Sequence, residues 1–263
     1  MRARFPMANL PELLALLIGL TFAIFLSLPI VLTKRLDSRT VALLNAAAIG
    51  LLIFLVGDVY SNVAPLLAAS SPGTPTNLPL DAVFAVGVAA AFGLLFLVEQ
   101  RIRGRGERGT LSPRGTALIV ALAIGFQNLT EGLVFGSAWA SSVVGLETVI
   151  YLGFFLQNIT EGFPITAPLA GVGGVRSSTA AGLLAVGGVP TVLGGLIGFY
   201  ENSTALDVLF DAVAIGAILY AILPMLRGAF RPAGDPASTR LRLELAYVGI
   251  VLGFTVGFLV NAI

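Results

Sequence analysis

Residues 115–139 read GTALIVALAIGFQNLTEGLVFGSAW, and residues 144–170 read VGLETVIYLGFFLQNITEGFPITAPLA. Both stretches are mostly apolar and exceed the about 20 residues that a helix needs to cross a bilayer. Each carries one six-residue pattern: Gln127-Asn128-Leu129-Thr130-Glu131-Gly132, then Gln157-Asn158-Ile159-Thr160-Glu161-Gly162. An ionised carboxylate at that depth costs several kcal/mol unless it is partnered, so a Glu within a span points to function. Two such Glu residues, each preceded by amides one helical turn earlier, point to a shared cation site.

The rest of the chain has the same character. It has 263 residues, of which 57% are hydrophobic and 11% charged, and its mean hydropathy is +0.96. A soluble domain carries about 25% charged residues, so the composition is that of an integral membrane protein, and apolar runs this long favour an all-α fold over short alternating barrel strands. Cys and His are both absent. That excludes disulfides, iron–sulfur clusters and thiolate zinc sites, and it removes the usual proton shuttle. Any ion site must be built from oxygen. No organic cofactor and no nucleic-acid partner is expected; the partners expected are metal ions and the lipid bilayer.

Eight stretches qualify as spans: 10–32, 41–68, 79–98, 115–139, 144–170, 177–200, 206–226 and 242–262. Together they form a single polytopic domain over residues 1–263. The loops carry a charge code. Lys34, Arg35 and Arg39 lie between spans 1 and 2, and Arg101, Arg103, Arg105, Arg108 and Arg114 lie between spans 3 and 4. Arg176 lies between spans 5 and 6, and Arg227, Arg231, Arg240 and Arg242 flank the loop between spans 7 and 8. The alternate loops hold no Lys or Arg. Cytoplasmic loops carry the excess of basic residues, so both termini are expected outside, with only Arg2 and Arg4 dissenting. Asp81, Glu147, Glu201, Asp207 and Asp211 cluster at the opposite span ends. An acidic mouth without counter-charge concentrates cations, although polar helix caps account for such residues equally well. The loop 100–114, QRIRGRGERGTLSPR, is basic and suits contact with anionic headgroups.

On a helix, positions three and four apart share a face. Gln127 and Asn128 therefore face the same way as Glu131, and Gln157 and Asn158 the same way as Glu161. Consecutive spans run antiparallel, so the two motifs can meet at similar depth. Two carboxylates neutralise one divalent ion, and four amide oxygens complete a shell suited to a hard or borderline cation. Gly132 and Gly162 allow close helix approach. Thr130 and Thr160 can bond back to the backbone or line the path. Pro164 and Pro168 are expected to kink span 5. The bland alternative is a polar clamp, with a protonated Glu bonded to the facing amide.

Spans 4 and 5 resemble the signature helices of the ZIP (Zrt/Irt-like) divalent metal transporters. The resemblance rests on QNLTEG and QNITEGFPITAPL, and it extends to AAIGLLIFLVGDV in span 2, GGLIGFY in span 6 and AIGAILYAILPML in span 7. It implies eight spans with both termini outside and a metal site between spans 4 and 5. It also implies that Gln127, Glu131, Gln157 and Glu161 line one metal position, and that Asn128, Glu131, Asn158 and Glu161 line a second. Asp58 would stand near the entrance, and Thr191 occupies the position where many members carry a Glu. The chain departs from the family pattern where Gln replaces the motif His and Thr replaces the motif Pro. Losing the imidazoles and the span 6 carboxylate weakens the site for zinc and hardens it, so manganese and iron(II) join zinc as candidate substrates.

The reading is therefore metal transport toward the cytoplasm across a cell membrane, and not an enzyme. Two alternatives remain open at this stage. TEGFPIT is similar to a segment of the intramembrane polyprenyl-pyrophosphate phosphatases, but every Arg lies at a span end or in a loop, away from where a lipid phosphate would react. A transport-inactive, metal-sensing relative would keep the fold without flux. Small residues are abundant in several spans, which is compatible with a homodimer.

Overall fold

The computed structural model describes residues 10–32, 36–68, 78–103, 111–141, 146–201, 203–232 and 235–262. Lys34, Arg35, Arg105, Arg108, Arg2, Arg4 and the side chain of Glu147 lie outside the described residues. Within them the chain is all-helical. The elements are α1 (Leu10–Ala23), α2 (Leu28–Leu32), α3 (Ser38–Ala68), α4 (Leu78–Arg103), α5 (Pro113–Ser141), α6 (Leu146–Thr166), α7 (Ser177–Gly188), α8 (Pro190–Tyr200), α9 (Thr204–Ala229) and α10 (Pro236–Asn261).

Among the described residues, seven helical stretches are long and apolar enough to cross a membrane, as in a multi-pass membrane protein. α6 stands apart from those seven because Gln157, Asn158 and Glu161 lower its hydropathy. Its length of 21 residues still corresponds to about 31 Å. The outer surface carries many large apolar side chains: Phe22, Val86, Leu97, Val149 and Tyr247 are all more than 60% exposed. A soluble fold could not carry such a surface without associating.

Two spans that read as continuous in the sequence are interrupted. Span 1 passes through a 3-10 turn, Ile24–Ser27, between α1 and α2. Pro29 has no N–H to reach back to Phe25, and Leu28 N bonds Phe25 O instead. Span 6 breaks into α7 and α8 at Val189, directly before Pro190. Span 5 ends differently from its sequence boundary: α6 stops at Thr166 and a 3-10 turn, Ala167–Leu169, follows. Pro164 lies within α6, and the Thr166 hydroxyl donates to Gly162 O at 3.0 Å and Phe163 O at 3.2 Å.

Two helices begin earlier than hydropathy alone indicates, and both are capped. Asp37 Oδ1 accepts from Thr40 N at the start of α3. Asp235 Oδ1 accepts from Ser238 N at 2.9 Å at the start of α10, with Pro236 in the first turn. α10 thus starts at residue 236 rather than 242, because a capped polar turn prolongs the helix beyond its apolar stretch.

The helices pack through backbone contact. A β-carbon on Gly136 would stand 2.0 Å from Gly195 O, and one on Gly194 1.9 Å from Leu129 O. No side chain separates α5 from α8 there. α3 and α10 meet the same way, Gly50 against Ile250 O and Gly253 against Ala47 O, as do α4 and α9 at Gly216 against Val88 O. Without a hydrophobic drive between helices in lipid, such close van der Waals contact is a main source of association.

The order of these contacts gives direction. Leu129 to Gly194 is followed by Leu133 to Gly198, so α5 and α8 run parallel. Ala47 to Gly253 is followed by Phe54 to Gly257 and Asp58 to Asn261, so α3 and α10 run parallel. Gly87 to Ala212 is followed by Phe92 to Tyr220 and Glu99 to Arg227, so α4 and α9 do too. α5 is the centre of the bundle: 72% of its most apolar stretch is buried, against 17% in α4 and 22% in α10.

Candidate functional site

The two motifs come together. Asn128 Nδ2 on α5 donates to Glu161 Oε2 on α6 at 3.0 Å. Asn158 Nδ2 on α6 donates to Glu131 Oε2 on α5 at 3.2 Å. Gln127 Nε2 bridges both acids, to Glu161 Oε1 at 2.8 Å and Glu131 Oε1 at 3.2 Å. Those two bonds hold the Oε1 atoms within about 6 Å of each other. Each helix thus supplies one carboxylate and the amide that binds the other helix's carboxylate.

The site is enclosed. Gln127, Asn128, Glu131, Gln157, Asn158 and Glu161 are each 5% exposed or less. Thr191 at the start of α8 is fully buried, and its hydroxyl donates to Asn128 Oδ1 at 3.2 Å. A third span therefore orients one of the site amides. Gly132 and Gly162 bring neighbouring backbones up to the motif, against Thr191 O and Ile24 O respectively. The second of these contacts falls on the 3-10 turn of span 1.

Gln157 also reaches beyond the Glu pair. Its Nε2 donates to Asp58 Oδ2 at 3.3 Å, and Asp58 Oδ1 accepts from Asn261 Nδ2 at 2.9 Å. Asp58 thereby ties α3 to α6 and α10 beside the Glu pair. Thr130 and Thr160 bond back to their own helices, at Phe126 O and Gln157 O. They are spacers in the motif, not members of the site.

The balance of donors and acceptors is uneven. Three amide N–H groups converge on the carboxylates, while Gln127 Oε1 and Asn158 Oδ1 are buried with no donor. A buried acceptor left without a partner costs about 1–3 kcal/mol. In a neutral clamp a carboxyl O–H would serve those oxygens. A cation between the acids would do the same: turning either amide about its last bond exchanges N for O and adds an oxygen ligand.

Among the described residues, no group of three or more His, Cys, Asp and Glu is arranged to hold a metal. The charge at the centre comes from Glu131 and Glu161 alone, and any further ligands must be amides.

Of the acids read as an outer mouth, Asp207 and Asp211 lie four apart on α9. Asp211 is 4% exposed with its Oδ1 unpaired, which is not how a solvated cap behaves. Asp58 and Asp207 are near enough to act on it electrostatically. A second polar cluster was not apparent from the sequence. Glu99 is 2% exposed and is bound by Arg103, Arg227 and Tyr220. The only local signal was the Glu99–Arg103 spacing of four.

No protein-family model matches the chain, and no curated protein matches it significantly.

Proposed function

We propose that this protein carries a divalent cation across the membrane through the Glu131–Glu161 site. The observation that carries the reading is the pair of buried amide oxygens, Gln127 Oε1 and Asn158 Oδ1, which lack donors beside two carboxylates. Two negative charges and these oxygens match one hard divalent ion. Zinc, manganese and iron(II) are the substrates to test, and the all-oxygen set favours the harder two. This agrees with the ZIP-like motifs of spans 4 and 5.

Eight crossings, with α6 as the fifth, follow from the same reading. The parallel pairing of α3 with α10, α4 with α9 and α5 with α8 supports strict alternation, since the members of each pair stand an even number of places apart in the order of spans (2 and 8, 3 and 7, 4 and 6). The basic helix ends then face the cytoplasm and both termini face outward, in a cell membrane. Asp58, Asp207 and Asp211 line the outer approach, where uncompensated acids raise the local cation concentration. The 3-10 turn of span 1 and the break before Pro190 in span 6 lie near the site, and span 5 passes into a 3-10 turn just beyond it. Interrupted helices at a buried site suit alternating access.

The test is flux. Protein in liposomes loaded with a metal-sensitive dye is challenged with zinc, manganese and iron(II), beside the Glu131→Ala/Glu161→Ala double variant. Dye response in the wild type and none in the variant supports the reading. Silence for every metal with folded protein sinks it.

A further inference from the structure

At the basic end of α4 and α9 a cavity of about 400 Å³ opens between the two helices. Its floor is polar and its walls are not. Glu99 sits at the base, held by Arg103 from the last turn of α4 and by Arg227 from the last turn of α9. Arg227 approaches both Glu99 oxygens at 3.4 Å, and the Tyr220 hydroxyl donates to Oε2 at 2.5 Å. Phe92, Phe96 and Leu223 line the opening and are 36%, 47% and 39% exposed. They belong to the apolar surface that α4 and α9 present outward.

The cluster does not balance. Two guanidiniums oppose one carboxylate, which leaves a net charge of +1. Each guanidinium has five N–H donors, far more than a single carboxylate can accept, and one of these, Arg103 Nε, is buried with no acceptor. Arg227 is 47% exposed; its Nε donates to Leu223 O at 3.4 Å and its Nη2 faces Glu99, which leaves further guanidinium donors accessible. The site therefore lacks an anion with several acceptor oxygens. It lies at the basic ends of two spanning helices, where a bilayer places its headgroups, and apolar walls lead to it. A basic pocket between membrane helices with this make-up suits an anionic lipid, and guanidinium matches phosphate in a forked geometry.

We propose that this cavity binds the phosphodiester of an anionic phospholipid. Arg103 and Arg227 hold the phosphate, and the Phe92, Phe96 and Leu223 wall receives the start of an acyl chain. Glu99 acts as an internal counter-charge. It keeps the two arginines together when the site is empty, and it weakens their hold on lipid.

That role of Glu99 makes the test two-sided. The purified full-length protein in detergent is titrated with phosphatidylglycerol or with phosphatidylcholine of the same acyl chains, and bound lipid is counted by native mass spectrometry. Thermal unfolding confirms that each variant is folded. Wild type is expected to favour phosphatidylglycerol by about fivefold or more, and Arg227→Gln to lose about fivefold of that binding, as for one basic group near a lipid surface. Arg227→Lys should retain most of it. Glu99→Gln should raise phosphatidylglycerol retention, because it removes the competing carboxylate. Equal binding of the two lipids overturns the proposal. So does an equal loss in Arg227→Gln and Glu99→Gln, which would mean a structural ion pair only. Displacement of the lipid by millimolar inorganic phosphate would show a site for a soluble anion and also overturns it.

Discussion

Asn128 and Asn158 exchange acids across the α5–α6 interface: each amide binds the carboxylate of the opposite helix, at 3.0 and 3.2 Å. The local pattern places each Asn three residues before its own Glu, yet the bond goes to the other helix's Glu. The two motifs thus act as one unit, and a change in either is felt in both.

Replacing one acid tests that unity. Glu161→Gln keeps the shape and most hydrogen-bonding capacity, but it removes one of the two central charges. Metal-driven dye response is expected to fall by at least about tenfold, the lower bound for losing even an indirect partner of a metal site. Glu131→Gln should do the same, and the double variant should be little worse than either single. Additive losses in the flux assay would show two independent sites.

Thr191 acts through Asn128. Thr191→Val keeps the shape but leaves Asn128 Oδ1 without its 3.2 Å donor. The expected loss of stability is about 1–3 kcal/mol, with metal affinity lowered by about 10–100-fold. Thr191→Ser should restore both. Stability measured by unfolding in detergent and affinity by metal titration separate the two effects. A Val variant with unchanged affinity would remove α8 from the site.

Asp58 meets the motif by a hydrogen bond from Gln157, and its charge lies close enough to act on both acids. Asp58→Asn keeps an acceptor for Gln157 or Asn261 and loses the charge. If Asp58 serves entry, the half-saturating metal concentration should rise while the maximum rate holds, and the difference should shrink in high salt. A fall in maximum rate alone would place Asp58 in the translocation step.

Backbone packing predicts opposite signs for two glycines. Gly136→Ala puts its β-carbon 2.0 Å from Gly195 O, which forces α5 and α8 apart at a cost of about 1–3 kcal/mol. Gly93→Ala meets nothing within 4 Å and should gain up to about 1 kcal/mol from helix propensity. Unfolding temperatures in detergent decide. Equal shifts would rule out the close approach.

The cap of α10 titrates. The bond from Ser238 holds Asp235 below its ordinary value of 3.8. A carboxylate lowered in the folded state contributes stability above its unfolded value, and that contribution is lost as pH falls through the folded value. The first turn of α10 should therefore hold at pH 7 and loosen below about pH 3.8. Asp235→Asn keeps the acceptor and should abolish the pH dependence, read by proteolysis at the loop before Pro236. The same dependence in Asp235→Asn would assign it elsewhere.

Hydropathy and local spacing made much of this legible. The helix ends of α5 and α9 fall within three residues of their apolar boundaries, because burial in lipid demands a continuous apolar stretch and satisfied backbone bonds. The shared face of Gln127, Asn128 and Glu131 is helix geometry alone. The interruptions at residues 24–27 and 189 were less visible. A proline marks a lost N–H, but whether the helix bends, tightens or runs through depends on what packs beside it. Pro65 and Pro224 lie inside unbroken helices.

By itself the sequence determined that the chain is a bundle of membrane helices and that its duplicated Glu and amide residues share faces, since both follow from periodicity within single segments. Only the tertiary structure decided which partner each polar group takes: Asn128 with Glu161, Gln157 with Asp58, Thr191 with Asn128, and Glu99 with Tyr220 and Arg227. Those choices depend on rotation and depth of one helix against another. Close glycine contacts set these, and no rule of spacing along one helix contains them.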